Sequence, residues 1–418
     1  MGFDDSCSAT TTTTRVLDIQ SDWQTTEDDS FWVSSSDRVV LTYPDPIAGA
    51  HVLAHGSTPT SMHTVHKADA STAGIPSSTY HIADQSRYSL TVATDSYSMS
   101  FFTPHTQTPL QAQLYAVSTS PNGAFLGVGG ADGLFHVLQV PTHTSLQLAG
   151  HVSDVTHVEF FPSSLVALTG SADFSLRIWS VQTFTCGAVL RGHKGAISGI
   201  GILGRGRNVV SCAQDRFVKL WHCGSSHCYR DWHLPSTPRC LVSSASHHDD
   251  HDQGRTLAEA PDMEFETSST WLIVGTDAGV TALDARVASP VLELGHAAAV
   301  TACATTHGSA IPMLVTGTED GVLSTYDLRQ PKGPIHMMSR SGAGVRAIEM
   351  VDKAAWVATA DGSCSRWSGL AMGQTPTVTG ELVGPTYDAV NGVSVSSNGT
   401  ISSVSRDGVL RMYESPTS

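Results

Sequence analysis

The sequence predicts an all-β protein, a seven-bladed β-propeller preceded by a small β-rich domain. The first observation is internal repetition. Gly150-His151, Asp173 and Trp179 recur as Gly192-His193, Asp215 and Trp221, all displaced by the same 42 residues, the length of one four-stranded blade. The second is a count of turns. An aspartate followed six places later by a large apolar or aromatic residue occurs at Asp132/Leu138, Asp173/Trp179, Asp215/Trp221, Asp277/Leu283, Asp320/Tyr326, Asp361/Trp367 and Asp407/Tyr413. The third is composition. With 37 glycines, 40% hydrophobic and only 15% charged residues in 418, the chain suits short strands joined by tight turns.

Taken in order, residues 1–95 lie ahead of the repeats and form the small β-rich domain, with strand-like runs at Arg38-Val39-Val40-Leu41-Thr42 and Tyr88-Ser89-Leu90-Thr91-Val92. The opening Met1–Arg15 stretch lacks the apolar centre of a secretory signal. Met1-Gly2 through Ser6 fits the loose myristoylation pattern, but Asp4 and Asp5, with no basic cluster nearby, argue against its use. Residues 96–418 hold the propeller. Successive turn aspartates are 41, 42, 62, 43, 41 and 46 residues apart, so the fourth blade carries an insertion, placed at 243–270 between its first two strands. The chain ends just after the third strand of the last blade, which implies a fourth strand donated from the N-terminal side. The apolar run Ser98–Thr103 is the expected donor.

The repeated polar residues have a structural chemistry. A turn aspartate can accept backbone and imidazole hydrogen bonds, while the histidine of the preceding loop bridges it to a strand hydroxyl and onward to the tryptophan. Blades two and three keep the whole set: His151, Asp173 and Trp179 with Thr169 or Ser171, and His193, Asp215 and Trp221 with Ser211. Blade five keeps His296 and Asp320 with Tyr326 in place of tryptophan.

Each chemical alternative has a plainer competitor. A Ser-His-Asp triad would be needed once, not once per blade, so the recurring histidines and aspartates are read as structural and the protein as no enzyme. His222, Cys223, His227, Cys228 and His233 stand within zinc-ligand reach, but strand alternation splits them between two faces, so no metal or other cofactor is expected. The insertion, with Asp249, Asp250, Asp252, Glu259, Asp262, Glu264 and Glu266, reads first as a solvated loop and second as an acidic arm. Gly127-Val128-Gly129-Gly130 and Gly204-Arg205-Gly206 lead into no helix and so are not phosphate loops. Lys194, Arg205, Arg207, Arg216 and Lys219 make blade three locally basic, which reads as ordinary surface charge. Eight cysteines in this length do not make a disulfide framework.

A formal charge of -15 excludes non-specific attraction to nucleic acid or an anionic membrane and favours a basic protein surface as partner. No apolar run reaches the length of a membrane span. A protein of the cytosol and nucleus, monomeric by itself, is expected. Propellers bind partners on the face holding the aspartate turns and histidine loops, where Asp154, Glu319, Asp388 and Arg406 are the candidate contacts.

Several stretches resemble the proteasomal ATPase-associated factor 1 family. They are Gly150–Val155 through Phe160-Phe161-Pro162-Ser163 to Ile178-Trp179-Ser180, then Gly192-His193-Lys194-Gly195, then Gly204–Ser211 with Leu220-Trp221 and Cys223-Gly224. Ile19-Gln20-Ser21-Asp22-Trp23, Arg340-Ser341-Gly342-Ala343 and Asp361-Gly362-Ser363-Cys364 fall where that family has similar runs. His222 departs from it, standing where an aspartate often follows the blade-three tryptophan. The resemblance implies an assembly chaperone of the proteasome 19S regulatory particle that binds the C-terminal domain of one ATPase subunit of the base. The competing expectation is a generic interaction scaffold, such as the substrate-recognition subunit of a ubiquitin ligase.

Overall fold

The computed structural model describes residues 10–19, 30–42, 61–66, 81–93, 97–140, 142, 144–245, 270–285, 289–306, 312–370, 374–385 and 387–414. All regular structure among them is β-strand, gathered into five four-stranded and two seven-stranded sheets. The innermost strands of these sheets touch in cyclic order, and the first meets the last, Leu114–Thr119 against Val390–Val395. The chain is thus an all-β propeller. Six blades are continuous, each built from four consecutive strands, spanning 114–149, 155–191, 197–233, 238–295, 300–339 and 345–382. Among the described residues there are six such blades and not seven, because the remaining sheet is composite: it joins three C-terminal strands within 390–413 to one strand from ahead of the ring.

Burial follows radius. In blades three and five the second strands, Asn208–Ala213 and Met313–Thr318, are buried at every position, because neighbouring sheets cover both faces. The outer strand of blade one, Thr144–Ala149, is exposed at five of six positions. A recurrent glycine sets the spacing between sheets. A Cβ on Gly170 would lie 2.7 Å from Ile197 of the next blade, and one on Gly317 would lie 2.4 Å from Val345, closer than atoms pack without displacement.

The strand that completes the composite sheet is not Ser98–Thr103, as expected, but Thr106–Pro109, which pairs antiparallel with Val409–Tyr413. Ser98–Phe102 pairs in parallel with Thr377–Leu382 on the outside of blade six. The reason is apolar content. Met99 and Phe101 are fully buried, whereas an outermost strand faces water, which suits Thr106, Gln107 and Thr108 ending in a proline.

The strands ahead of residue 103 lie against two blades. Ser30–Thr42 continues the sheet of blade five by pairing with His336–Ser339, and itself pairs with Thr10–Ile19 and Ser61–His66. His81–Gln85 and Ser89–Ala93 extend the sheet of blade six beyond Ser98–Phe102. One apolar cluster packs Leu17, Leu90 and Phe101 of these strands with Met338 of blade five and Trp367 of blade six. Burying each such side chain contributes about 1.5–3 kcal/mol.

In blade four, Ala245 pairs with Thr270, so Ser243–Ala245 and Thr270 belong to the sheet and not to the insertion. Residues 246–269 and the Asp22-Trp23 pair lie outside the described residues.

Candidate functional site

Each aspartate turn joins the second and third strands of a blade, and beside it runs the loop that leads into a first strand. Backbone bonds repeat this arrangement: Ala172 N donates to Asp154 O, Gln214 N to Ala196 O, Glu319 N to Ala299 O, and Arg406 N to Ala389 O. The turns and loops therefore form one rim at one end of the ring.

In blade two the polar chain is complete. Trp179 Nε1 donates to Thr169 Oγ1 at 2.8 Å, Thr169 Oγ1 lies 2.8 Å from His151 Nε2, and His151 Nδ1 lies 2.9 Å from Asp173 Oδ2. The directions follow from valence. The Asp173 carboxylate can only accept, so a neutral His151 carries its proton on Nδ1, facing it, and His151 Nε2 accepts from the Thr169 hydroxyl, which itself accepts from Trp179. That needs a neutral histidine, and burial does lower the His151 pKa despite Asp173. Burial works against the Asp173 carboxylate, but bonds from Ser175 and His151 bring it down to about 2. Thr169, not Ser171, is the relay hydroxyl; Ser171 instead donates to Ser153 O.

Blade three repeats the chain. Trp221 Nε1 donates to Ser211 at 2.8 Å, Ser211 meets His193 Nε2 at 2.8 Å, and His193 Nδ1 is 3.0 Å from Asp215. Burial again lowers the histidine, and the backbone N–H of Lys194 and His193 hold Asp215 below the usual carboxylate range against the effect of burial. Both hydroxyls are fully buried and engaged on two sides, so neither is a free nucleophile.

Blade five separates the members. His296 Nε2 meets the Tyr326 hydroxyl at 2.8 Å, and Asp320 accepts from Thr318. In blade six Ser341 stands where blades two, three and five have histidine and donates to Asp361, while Trp367 Nε1 donates to Ser365 at 3.1 Å. Among the described residues two turn aspartates are held by a basic side chain four residues further along the same hairpin: His136 Nε2 reaches Asp132 at 2.8 Å, and Arg411 Nη2 reaches Asp407 at 2.5 Å. Sequence reading missed both, although each side chain stands four residues after its aspartate. Also missed was Arg340, which holds both oxygens of Glu381 at 2.8 and 2.9 Å and Asp18 at 2.8 Å, tying strand Thr10–Ile19 to blade six. Burial pushes Glu381 up to about 7, with Arg340 opposing. Nothing in the local sequence connects residues so far apart.

The candidate contacts are spread around the rim. Asp154, half-buried, lies against the Tyr115 phenol, whose pKa burial and that carboxylate raise. Glu319 is exposed on blade five. Asp388 and Arg406 are brought together at 3.8 Å in the composite sheet. Arg239 also pairs with Asp277 at 2.6 Å, so the rim carries both signs of charge. Cys223 and Cys228 pack against the apolar cluster shared by blades two and three, and burial raises the Cys223 thiol to about 11. Among the described residues no three His, Cys, Asp or Glu side chains gather in a metal-holding group.

Residues 140–180 and 184–222 match the family described as WD domain, G-beta repeat. The 26S proteasome regulatory subunit RPN14 of Saccharomyces cerevisiae is 26% identical over 191 residues, 44% of this chain and 46% of that one. Apoptotic protease-activating factor 1 of Danio rerio is 29% identical over 140 residues, 32% of this chain and 11% of that one. Pre-mRNA-processing factor 19 of Mus musculus is 36% identical over 90 residues, 21% and 18% of the two chains. In each case the chain spans less than half the length of the relative it matches.

Proposed function

We propose that this WD-repeat propeller is a non-catalytic assembly chaperone of the proteasome regulatory particle, holding the C-terminal domain of one ATPase subunit against its rim. The observation that carries the reading is the extent of the likeness to the yeast proteasome subunit, 191 residues. At about 42 residues per repeat this exceeds four blades, whereas the 90 residues shared with the pre-mRNA-processing factor amount to about two repeats of the common pattern. The polar groups with catalytic potential in blades two and three bond to one another inside the blades, so binding is the activity that the surface offers. A net charge of -15 favours a basic partner, since complementary charge speeds encounter and rejects wrong surfaces.

The test is a pull-down of isolated proteasomal ATPase C-terminal domains on the full chain at low and moderate salt. One subunit is captured selectively, less well at higher salt, and less well after charge reversal at Asp154 or Glu319. Reversal of Asp388 has a smaller effect, because Arg406 already offsets it. Capture of none, with recovery of ubiquitin-ligase subunits from a lysate, would replace the chaperone with the scaffold reading.

A further inference from the structure

Where a blade turns after its second strand, one residue adopts the left-handed backbone conformation. In blades one, five and six and in the composite sheet it is Gly133, Gly321, Gly362 and Gly408, with φ of 70°, 80°, 91° and 78°. In blades two and three it is Phe174 and Arg216, with φ of 69° and 66°. Glycine adopts this conformation without strain, whereas a Cβ is crowded against the following carbonyl. Packing does not account for the two exceptions, since Phe174 remains 46% exposed and Arg216 is exposed too.

The neighbouring loops match them in chemistry. Val152, 88% exposed, donates its N–H to Asp173 at 3.2 Å, which fixes it beside the Phe174 turn. Lys194 stands at the equivalent place in blade three, exposed, with its N–H on Asp215 at 2.7 Å. Among the described residues neither Lys194 nor Arg216 pairs with a carboxylate, although two of the rim's other cations, Arg239 and Arg406, do. Two adjacent blades therefore display an apolar pair next to a basic pair on an otherwise acidic chain.

We propose that this stretch of rim is a docking spot for an extended segment of a partner protein in which an apolar side chain is followed two to four residues later by a carboxylate. Val152 and Phe174 receive the apolar group, and Lys194 and Arg216 receive the carboxylate. Packed sheets stand roughly 10 Å apart, and an extended segment covers that distance in about three residues. Elsewhere on the rim Glu319 of blade five repels such a segment, and within blade two the carboxylate of Asp154 turns its acidic end towards Lys194 and Arg216. The proposal rests on the protein-binding reading above and specifies one of its contacts.

The test selects heptapeptides from a random phage library on the immobilised full chain. It then titrates the enriched peptides by fluorescence polarisation against wild type, Phe174→Asn and Arg216→Glu. Asparagine tolerates the left-handed conformation, so the first variant removes the ring and keeps the turn. Val152→Ser and Lys194→Ser at exposed loop positions serve as a second pair, and thermal melts confirm folding. Enriched peptides carry the apolar-then-acidic pattern. Phe174→Asn weakens them at least tenfold at any salt, and Arg216→Glu at least tenfold at low salt with a smaller effect at high salt. Absence of enrichment, enrichment of another pattern, or affinities unchanged in all the variants overturns the spot. Capture of ATPase domains is scored separately. Capture unaffected by these variants removes the spot and leaves the chaperone, while peptide binding without capture keeps the spot and removes the ATPase as partner.

Discussion

Blade two and the composite sheet hold the same turn aspartate from opposite directions. Asp173 is held by His151, which belongs to the loop entering the blade and reaches through Thr169 to the buried Trp179. Asp407 is held by Arg411, four residues further along the same hairpin, which also donates to Ser405 at 2.6 Å. The first arrangement is uncharged along most of its length and ties a loop to a blade. The second is an ion pair closed within one hairpin, leaving the entering loop without that tether. The histidine blades are therefore the ones whose rim loops, bearing Val152 and Lys194, are positioned by the interior.

The comparison breaks most readily at Arg411. Arg411→Met removes a buried arginine that bonds Ser405 and both oxygens of Asp407, a residue of an exposed turn, and costs about 3 kcal/mol, the upper end for lost hydrogen bonds to a charged group. A shift in urea midpoint no larger than that of an exposed Arg→Met control would show that this pair holds nothing.

His193→Ala comes next, at about 2 kcal/mol near pH 7.5, since it leaves Asp215 and Ser211 with unmet bonds. The cost depends on pH. His193 and His151 titrate below the ordinary 6.5 in the fold, so below that pH the unfolded chain takes up protons that the folded chain refuses. Their stabilisation is complete above about pH 6.5 and declines as pH falls. The gap between wild type and His193→Ala accordingly narrows between pH 7.5 and 5.5, whereas that for Arg411→Met, whose partner Asp407 titrates below the usual carboxylate value, stays level. Equal pH dependence in the two variants would erase the distinction drawn between the sheets.

The smallest effect is Trp179→Phe, which keeps an aromatic ring but removes the donor and trims the buried indole, at about 1.5 kcal/mol. With Thr169→Val in a double-mutant cycle, the two costs sum to less than the additive value, because they break one chain of bonds. Additivity would mean that the residues are neighbours and not a relay.

The relay itself was legible in the sequence because its members repeat at fixed offsets and bond locally: His151 and His193 each lie 22 residues before their aspartate. The substitutes were harder to see. Arg411 and His136 fill the same role from a position where blades two and three have Arg177 and Lys219, and only the vacant histidine place in the loop distinguishes them. The closing strand was misplaced because sequence order does not tell the water-facing edge of the last sheet from a place inside the sheet of blade six, where Met99 and Phe101 are buried.

By itself the sequence determined the repeat, the turns, the relay in two blades and the site of the insertion, since each depends on spacing along a few dozen residues and on side-chain valence. Tertiary structure alone decided that Thr106–Pro109 completes the ring, that Arg340 ties Asp18 to Glu381, and that Asp388 lies against Arg406. Those contacts join elements whose order around a closed ring is set by which faces must leave water, a condition satisfied only when all the sheets pack together.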